Sequence, residues 1–505
     1  MPRLAALAAL GTLIFAVLAA EAATPSFPYG VTAGEVTSTS AILWTRAPRS
    51  GEVELVVSTS RVVPQGPPVR GRRAQASTDR TVSVRVDRLS PATRYFYVFS
   101  QGGLASEIGT FTTAPAPTAA ANVRFAISGD ADATPGSNGK PGFNRFEVYA
   151  RMAAEKNDFN INLGDTIYSD SEVGGTAVAR TVAQKWGKYR LGLALPALRK
   201  LRASAGLYSH WDDHEFIDDF SRDEDGAAIY AAGVKAFRDY SPVAYSSKLG
   251  LYRTVRWGKH LELFFLDERS FRSAKATTAC NRDLAPTVPQ AVRDAFATLA
   301  PALKNPVPAA CLSALNDPAR TMLGAAQYAA FTKAIKASKA TWKVIVNEVP
   351  IQQYYALPYD RWEGYAAERE RLLRFLQGNV KNVVFLATDT HANLVNEVRY
   401  ETLASPSEGT GIWEVVTGPV ATNTFAKEID GFLGTPGAGT AIGALFFKPP
   451  PPNGMGMRCA ALDTYSYAQV TVTARRITVA PKDSRGRPVQ EATGVACAPL
   501  VLSAR

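Results

Sequence analysis

Histidine is scarce in this chain of 505 residues, which contains only His210, His214, His260 and His391. A metal centre built from several imidazoles is hard to assemble from so few side chains, so a histidine-rich zinc site is disfavoured. A centre built mainly from carboxylate and phenolate oxygens, with a single imidazole, suits harder ions such as ferric iron, calcium, magnesium or manganese. His260 has no acidic motif around it and is interpreted as structural, and so is His210, although its position beside an acidic motif leaves a supporting role open.

Long apolar runs are also missing after the N-terminus. The first residues combine one positive side chain, the apolar run Leu4 to Ala19 and the small-residue string Ala20-Glu-Ala-Ala23. This pattern predicts a secretory signal peptide over residues 1–23, and therefore a secreted or periplasmic, cell-envelope location. A membrane anchor is the alternative, but the run falls short of the ~20 residues that a span needs.

Cysteine is absent before position 280, and the chain has four in all. In an exported protein these four are expected to form disulfides. Their spacing favours Cys280 with Cys311 and Cys459 with Cys497 among three connectivities, and structural bridges are favoured over metal ligands. The net charge of +11 is dispersed along the chain. It could attract anionic substrates, but specific nucleic-acid binding does not follow.

The chain is too long for one core and divides by pattern into two parts. Residues 24–116 are predicted to be an N-terminal β-sandwich, because short strand-like runs alternate with turn signals. Residues 122–505 are predicted to be an α/β domain, because strands alternate there with helical stretches. The predicted strands of the first part are Val36–Trp44, Val53–Val57, Thr81–Val86 and Tyr95–Val98. The predicted strands of the second part are Val123–Ser128, Phe159–Leu163, Gly206–Trp211, Leu261–Leu266, Trp342–Val346, Val383–Ala387 and Ile412–Thr417. Residues 273–320 and 431–456 are predicted to be loop insertions.

Four of these strands end in motifs that are rich in carboxylates. The motifs are Ser128-Gly-Asp130-Ala-Asp132, Gly164-Asp165-Thr-Ile-Tyr168, Trp211-Asp-Asp213-His214-Glu215 and Thr388-Asp389-Thr-His391. Carboxylates gathered at one edge of a sheet repel one another unless cations neutralise them. The recurrence therefore predicts a metal centre. For Asp132, a turn-capping role is as well supported as ligation.

The same motifs carry a family resemblance. Together with Leu266-Asp-Glu-Arg-Ser-Phe-Arg272 and the early strings Pro28-Tyr-Gly-Val-Thr-Ala-Gly34 and Leu43-Trp-Thr-Arg46, they resemble the alkaline phosphatase D (PhoD-like) metallophosphatases, distant relatives of purple acid phosphatases. The segment Leu89 to Tyr97 is similar to the fibronectin type III pattern, in which a Leu and a Tyr close a corner. The resemblance implies an α/β (α+β) sandwich of two mixed sheets flanked by helices, preceded by a small all-β fibronectin III/Ig-like domain.

Position by position, the resemblance implies the following roles. Asp165 would bridge two metal ions, Tyr168 would bind ferric iron as a phenolate and His391 would complete the iron site. Asp213 and Asp389 would hold the second ion, calcium in the family, and His214 would act catalytically on the phosphate. Relatives carry a cysteine at the end of the first strand, where this chain has Asp130 as the substitute ligand. That exchange of a soft donor for a hard one keeps Mn²⁺, Mg²⁺ and Zn²⁺ open beside Fe³⁺ with Ca²⁺.

The implied function is a secreted, metal-dependent phosphatase that hydrolyses phosphate mono- or diesters through a metal-bound hydroxide at a dinuclear site. The alternatives are a phosphodiesterase or phospholipase D-like hydrolase, and a non-catalytic wall-binding protein. We expect a phosphate-ester substrate, no specific nucleic-acid partner, no transmembrane span after signal removal, and a monomer. Arg269 and Arg272 could contact phosphate, but a structural ion pair with Asp267 or Glu268 is favoured. Trp362 and Tyr365 could wall the substrate cleft, but packing in the core is the default expectation.

Overall fold

The computed structural model describes residues 27–61, 73–298 and 300–505. The predicted signal peptide, residues 1–23, lies outside these ranges. In chain order the strands are β1 (Val31–Gly34), β2 (Ala41–Arg46), β3 (Gly51–Glu52), β4 (Glu54–Ser58), β5 (Arg73–Ala74), β6 (Thr81–Val86), β7 (Arg94–Gln101), β8 (Leu104–Ala105), β9 (Gly109–Thr112), β10 (Val123–Ser128), β11 (Phe159–Leu163), β12 (Gly206–His210), β13 (Arg253–Trp257), β14 (Leu261–Phe265), β15 (Trp342–Val346), β16 (Val383–Ala387), β17 (Asn393–Arg399), β18 (Gly409–Val416), β19 (Cys459–Ala461), β20 (Ser466–Val472), β21 (Arg476–Asp483) and β22 (Leu500–Ser503).

The α-helices of the described ranges are α1 (Glu147–Ala154), α2 (Val182–Ala194), α3 (Pro196–Ser204), α4 (Arg222–Asp225), α5 (Ala227–Tyr240), α6 (Gln290–Phe296), α7 (Ala309–Leu315), α8 (Gly324–Ala337), α9 (Ala366–Asn379), α10 (Phe425–Leu433) and α11 (Ala438–Ile442).

The N-terminal module is all-β. Strands β1, β2 and β6 pair antiparallel on one side, and β7 pairs with β4, β8 and β9 on the other. The Tyr95 hydroxyl accepts a hydrogen bond from the Ser90 backbone N–H at 2.9 Å. This contact closes the corner that the fibronectin-like pattern predicts. The predicted single strand Val36–Trp44 is wrong. The chain turns there, and Thr37 closes the turn by accepting from the backbone N–H of Ser40 at 3.0 Å.

One sheet crosses the predicted boundary between the two parts. Strand β1 pairs parallel with β12 through Ala33 and Gly206, so β1, β2 and β6 extend a nine-stranded sheet with the order β22-β21-β20-β10-β11-β12-β1-β2-β6. The division into residues 24–116 and 122–505 stays a prediction. The N-terminal module is nevertheless attached to the strand that leads into the third acidic motif.

The second part is a sandwich of two mixed sheets, as the resemblance implies. The partner of the nine-stranded sheet is a seven-stranded sheet with the order β13-β14-β15-β16-β18-β17-β19. Apolar side chains of both sheets form one core between them, including Ile161, Leu263 and Val384. Helices α1, α2, α3 and α5 cover the outer face of the first sheet, and α8 and α9 cover that of the second.

Strand β11 shows why the central strands form where the sequence predicts. All five of its residues are buried, so its apolar positions face the core between the sheets. Its polar positions are also satisfied: Asn162 accepts from the Tyr149 hydroxyl at 2.6 Å and Asn160 accepts from the Asn157 amide at 2.8 Å. The bounds predicted for β10, β11, β15 and β16 agree with the structure.

The two predicted loop insertions contain short helices. Residues 273–320 hold α6 and α7 and are bridged by the disulfide Cys280–Cys311. The stretch from 431 to 456 holds the end of α10 and all of α11, and the second disulfide, Cys459–Cys497, lies just after it. Both predicted pairings are confirmed. Such bridges are typical of proteins from oxidising compartments. Within the described ranges, none of the helices combines the length and hydropathy that a bilayer crossing requires.

Candidate metal centre

The four acidic motifs meet at one edge of the sandwich. Strands β10, β11 and β12 are parallel neighbours, so their carboxyl ends lie side by side. Strand β16 brings the fourth motif from the opposite sheet. There the Thr388 hydroxyl donates to the Leu163 carbonyl at 2.9 Å, and the Asp389 backbone N–H donates to Asp130 Oδ1 at 3.3 Å. The two sheets are therefore joined at this edge by the motifs themselves.

Four motif residues have left-handed backbone conformations. The φ angles are 61° at Asp130, 47° at Asp165, 67° at Asp389 and 52° at His391. A non-glycine residue in this region costs on the order of 1–3 kcal/mol, and such residues cluster at functional sites. All four residues lie in the turns that directly follow strands β10, β11 and β16.

The side chains form two neighbouring groups that share Asp165. Asp130, Asp165 and His391 offer ligand atoms that all lie within 4.8 Å of one another, and so do Asp165, Asp213 and His214. All these residues are buried except His214, which is partly buried. Both oxygens of a carboxylate can bind cations, so Asp165 is placed to serve two neighbouring sites.

Tyr168 lies between the two histidines. Its hydroxyl is 3.0 Å from His391 Nε2, and its ring stacks on the His214 ring with centroids 4.1 Å apart. Tyr168 is 4% exposed, so its hydroxyl is buried beside the His391 ring.

Asp213 belongs to the second group, whereas Asp389 lies outside both groups, and each of the two has hydrogen-bond partners of its own. Asp213 accepts from the backbone N–H of His214 at 2.9 Å and of Asp219 at 2.6 Å. Asp389 Oδ1 accepts from Arg269 Nη2 at 3.4 Å, and the same nitrogen lies 3.8 Å from Asp213 Oδ2. Arg269 thus links the two aspartates that were predicted to hold the second ion.

The electrostatics of the bare side chains fit a cation centre. Burial raises the pKa of Asp130 to about 7, even though His391 lowers it. Burial, followed by neighbouring carboxylates, raises the pKa of Asp165 and of Asp389 well above the ordinary value. Asp130 Oδ2 is buried and finds no hydrogen-bond partner within the described residues. Ionised carboxylates this crowded and desolvated are stabilised by bound cations, so the donor set fits a cation-binding centre.

Each histidine of the centre has a carboxylate partner that sequence reasoning missed. His391 Nδ1 is 2.5 Å from Glu428 Oε1, and His214 Nδ1 is 2.6 Å from Asp170 Oδ1. Burial alone would lower the pKa of both histidines, but Glu428 raises that of His391 to about 9, and Asp165, Asp213 and Asp170 raise that of His214 well above its ordinary value. Asp170 stands two residues after Tyr168 in the sequence, which is the signal that could have identified it. Glu428 has no such signal.

Arg269 and Arg272 are buried structural residues, but their predicted partners are wrong. Arg269 donates from Nε to Asp212 at 2.5 Å and from Nη1 to both oxygens of Asp360 at 2.7 and 2.8 Å. Arg272 Nη1 pairs with Asp360 at 2.8 Å. The Asp267 carboxylate instead accepts the backbone N–H of Ser270 from its own turn, and the Glu268 carboxylate accepts the backbone N–H of Val349, 81 residues away. Trp362 and Tyr365 pack in the core as expected.

The remaining histidines and Asp132 lie outside the two groups. His210 is fully buried with Nδ1 3.0 Å from Glu348 Oε1, and His260 Nδ1 is 3.0 Å from the Thr341 hydroxyl. Asp132 accepts from the backbone N–H of Thr134 at 2.8 Å, which is the turn-capping arrangement.

Comparisons with known proteins agree with this architecture. The PhoD-like phosphatase family model matches residues 133–474, and the model of that family's N-terminal domain matches residues 13–115. Alkaline phosphatase D of Bacillus subtilis (strain 168) is 26% identical over 430 residues, which cover 74% of this chain and 66% of that relative. The chain thus spans just under two thirds of that relative's length.

Two solved structures share the fold. The structure of PhoD has a TM-score of 0.72 at 21% identity, covering 95% of this chain and 89% of that one. Purple acid phosphatase PPD1 from yellow lupin (Lupinus luteus) seeds has a TM-score of 0.57 at 12% identity, covering 94% of this chain and 74% of that one. Because the family model matches well over half of its residues, this chain belongs to the PhoD-like phosphatase family.

Proposed function

We propose that this protein is an exported, metal-dependent phosphatase that hydrolyses phosphate mono- or diesters at a centre for two cations. The observation that carries the proposal is the pair of ligand groups that share Asp165. Family membership supports the reaction class, and the buried carboxylates support the need for cations.

We assign the predicted ligand residues to two ions. Asp130, Asp165, Tyr168 and His391 would hold the first, and Asp165 with Asp213 and Asp389 would hold the second. We propose Fe³⁺ with Ca²⁺, because the donors are mostly hard oxygens, with Mn²⁺, Mg²⁺ and Zn²⁺ as the alternatives. When bound, two such ions supply Lewis-acid chemistry, neutralising charge on the phosphoryl oxygens and acidifying a water molecule.

His214 is the residue that we propose for proton transfer. Asp170 accepts from its Nδ1 at 2.6 Å, which leaves Nε2 as the other ring atom able to carry a proton. The ring is held against Tyr168 and lies in the group that contains Asp165 and Asp213. A proton on Nε2 would therefore be available to the leaving oxygen of the ester at the moment of bond cleavage.

Export is the second part of the proposal. The predicted signal peptide motivates it, and the two disulfides support an oxidising destination. We further propose that the chain acts as a monomer, which sedimentation of the purified protein would test.

Asp165→Asn tests the reaction directly, with Asp132→Asn as the matched control. Both changes remove a buried charge from a motif loop, but Asp132 caps a turn. Rates of nitrophenol release would be measured on nitrophenyl phosphate and on bis-nitrophenyl phosphate. We expect Asp165→Asn to lose activity on both esters and Asp132→Asn to keep most of it. An Asp165→Asn variant with wild-type rates would refute the proposal. In the wild type, the ratio of the rates on the monoester and the diester separates a monoesterase from the phosphodiesterase or phospholipase D-like alternative.

A further inference from the structure

Glu428 contacts the metal centre from outside all four motifs. Its carboxylate oxygen Oε1 lies 2.5 Å from His391 Nδ1, although the two residues are 37 positions apart in the chain. The His391 side chain is 10% exposed and that of Glu428 is 35% exposed, so the contact sits at the rim of the centre. It is made by α10, a helix that lies partly in a stretch predicted to be a loop.

The first turn of α10 is attached to His391 at a second point. The backbone N–H of Phe425 donates to the His391 carbonyl at 3.1 Å, and the N–H of Ala426 donates to the Leu462 carbonyl at 2.9 Å. One helical turn further on, Glu428 reaches the imidazole, with its own N–H bonded to the Thr424 carbonyl at 3.1 Å. The backbone and the ring of His391 are therefore both held by the start of the same helix.

This geometry selects one tautomer of His391. An ionised carboxylate only accepts hydrogen bonds, so the nitrogen that faces Glu428, Nδ1, carries the proton. When the ring is neutral, the other nitrogen, Nε2, holds the lone pair, and it lies 3.0 Å from the Tyr168 hydroxyl and in the group with Asp130 and Asp165. In the neutral ring, the nitrogen that a cation would need is therefore the one that lies among the other ligands.

We propose that Glu428 is a positioning residue that fixes the tautomer and ring orientation of His391 for cation binding. The inference rests on the proposed function, because it gives His391 a partner within the proposed site. Carboxylates that hold a ligating histidine in this way typically change metal affinity by about 10–100-fold when they are removed.

The experiment compares Glu428→Ala and Glu428→Gln with Lys427→Ala. Lys427 is the preceding residue of α10, and its ammonium pairs with Asp463 at 3.6 Å. Each protein is stripped with a chelator and titrated with Mn²⁺ by calorimetry, and its thermal unfolding is measured without metal. We expect Glu428→Ala to bind Mn²⁺ about 10–100-fold more weakly. Glu428→Gln, whose amide oxygen can still accept from Nδ1, should recover part of that loss, and Lys427→Ala should bind as the wild type does.

The outcomes separate this inference from the proposed function. A wild type that binds Mn²⁺ and hydrolyses esters, together with a Glu428→Ala variant of equal affinity, overturns only the role of Glu428. The role is also overturned if the Ala and Gln variants weaken binding equally and both lower the metal-free unfolding temperature, because Glu428 would then only hold α10. A wild type that binds no Mn²⁺ and shows no hydrolysis overturns both.

Discussion

Arg269→Met should destabilise the metal-free protein strongly, and more so at high pH. The Arg269 side chain is completely buried and pairs with four carboxylates: Asp212 at 2.5 Å, Asp360 at 2.7 Å, Asp389 at 3.4 Å and Asp213 at 3.8 Å. Methionine fills much of the same volume but leaves these carboxylates without their shared cation. Removing one partner from a buried ion pair costs about 3–5 kcal/mol. We expect a loss of that size at pH 8.5.

The pH dependence follows from Asp212. Burial raises the pKa of this carboxyl to about 8, and Arg269 is the strongest influence that lowers it. Without Arg269 the pKa rises further. A carboxyl whose folded pKa lies above its unfolded value contributes stability that is fully present below the unfolded pKa and is lost as the pH rises through the folded one. At pH 5.5 the Asp212 carboxyl of the folded variant therefore holds a proton. The loss of stability of Arg269→Met relative to the wild type should then be smaller than at pH 8.5.

Urea unfolding in the presence of a chelator measures both effects, with Arg272→Met as the control. Arg272 is equally buried but pairs, within the described residues, with one carboxylate, Asp360, which Arg269 continues to hold. The control should lose clearly less stability than Arg269→Met. A loss below about 1 kcal/mol for Arg269→Met at pH 8.5 would refute the reasoning, since removing a partner from a buried ion pair costs several times that. A loss that is the same at both pH values would refute the role of Asp212.

Three further predictions concern the surroundings of the centre. Glu215 accepts hydrogen bonds from the backbone N–H of Thr166 at 2.6 Å and of Asp212 at 2.8 Å. Glu215→Ala should therefore lower the free energy of unfolding, measured in urea, by about 2–3 kcal/mol and weaken metal binding. Glu215→Gln should lower the free energy of unfolding by less. If the metal is ferric iron, Tyr168→Phe should abolish visible absorption while iron remains bound; a band that survives would exclude the phenolate. Cys459→Ser opens a bridge across 38 residues and should cost about 2–4 kcal/mol without changing metal content, which unfolding and elemental analysis together would check.

The sequence was most informative where the signal is local. The strand before Asp165 is a short buried run that ends in glycine, and the bounds of β10, β11, β15 and β16 follow from the same kind of pattern. The disulfide pairs were also predictable, because each joins the nearer cysteines. The continuity of one sheet across the predicted boundary could not be predicted, because the pairing of Ala33 with Gly206 depends on how the two parts pack.

Two supporting contacts of the centre could not be predicted from local spacing. Glu428 reaches His391 across 37 residues, and Asp360 reaches Arg269 across 91. For both His391 and Arg269, the acidic residue that is nearest in the sequence is not the one that pairs with the side chain in the structure. For Arg269, the neighbouring Asp267 is already engaged by backbone N–H groups of its own turn. Which carboxylate a buried cation meets is decided by the packing of distant elements.

The central claim is that one centre holds two cations through the shared Asp165. Elemental analysis of the purified protein, set against the same analysis of Asp165→Asn, tests it most directly. We predict about two ions per chain in the wild type, because the donors form two groups, and a loss of most of that metal in the variant. A wild type that holds no metal, or an Asp165→Asn variant with unchanged content, would contradict it.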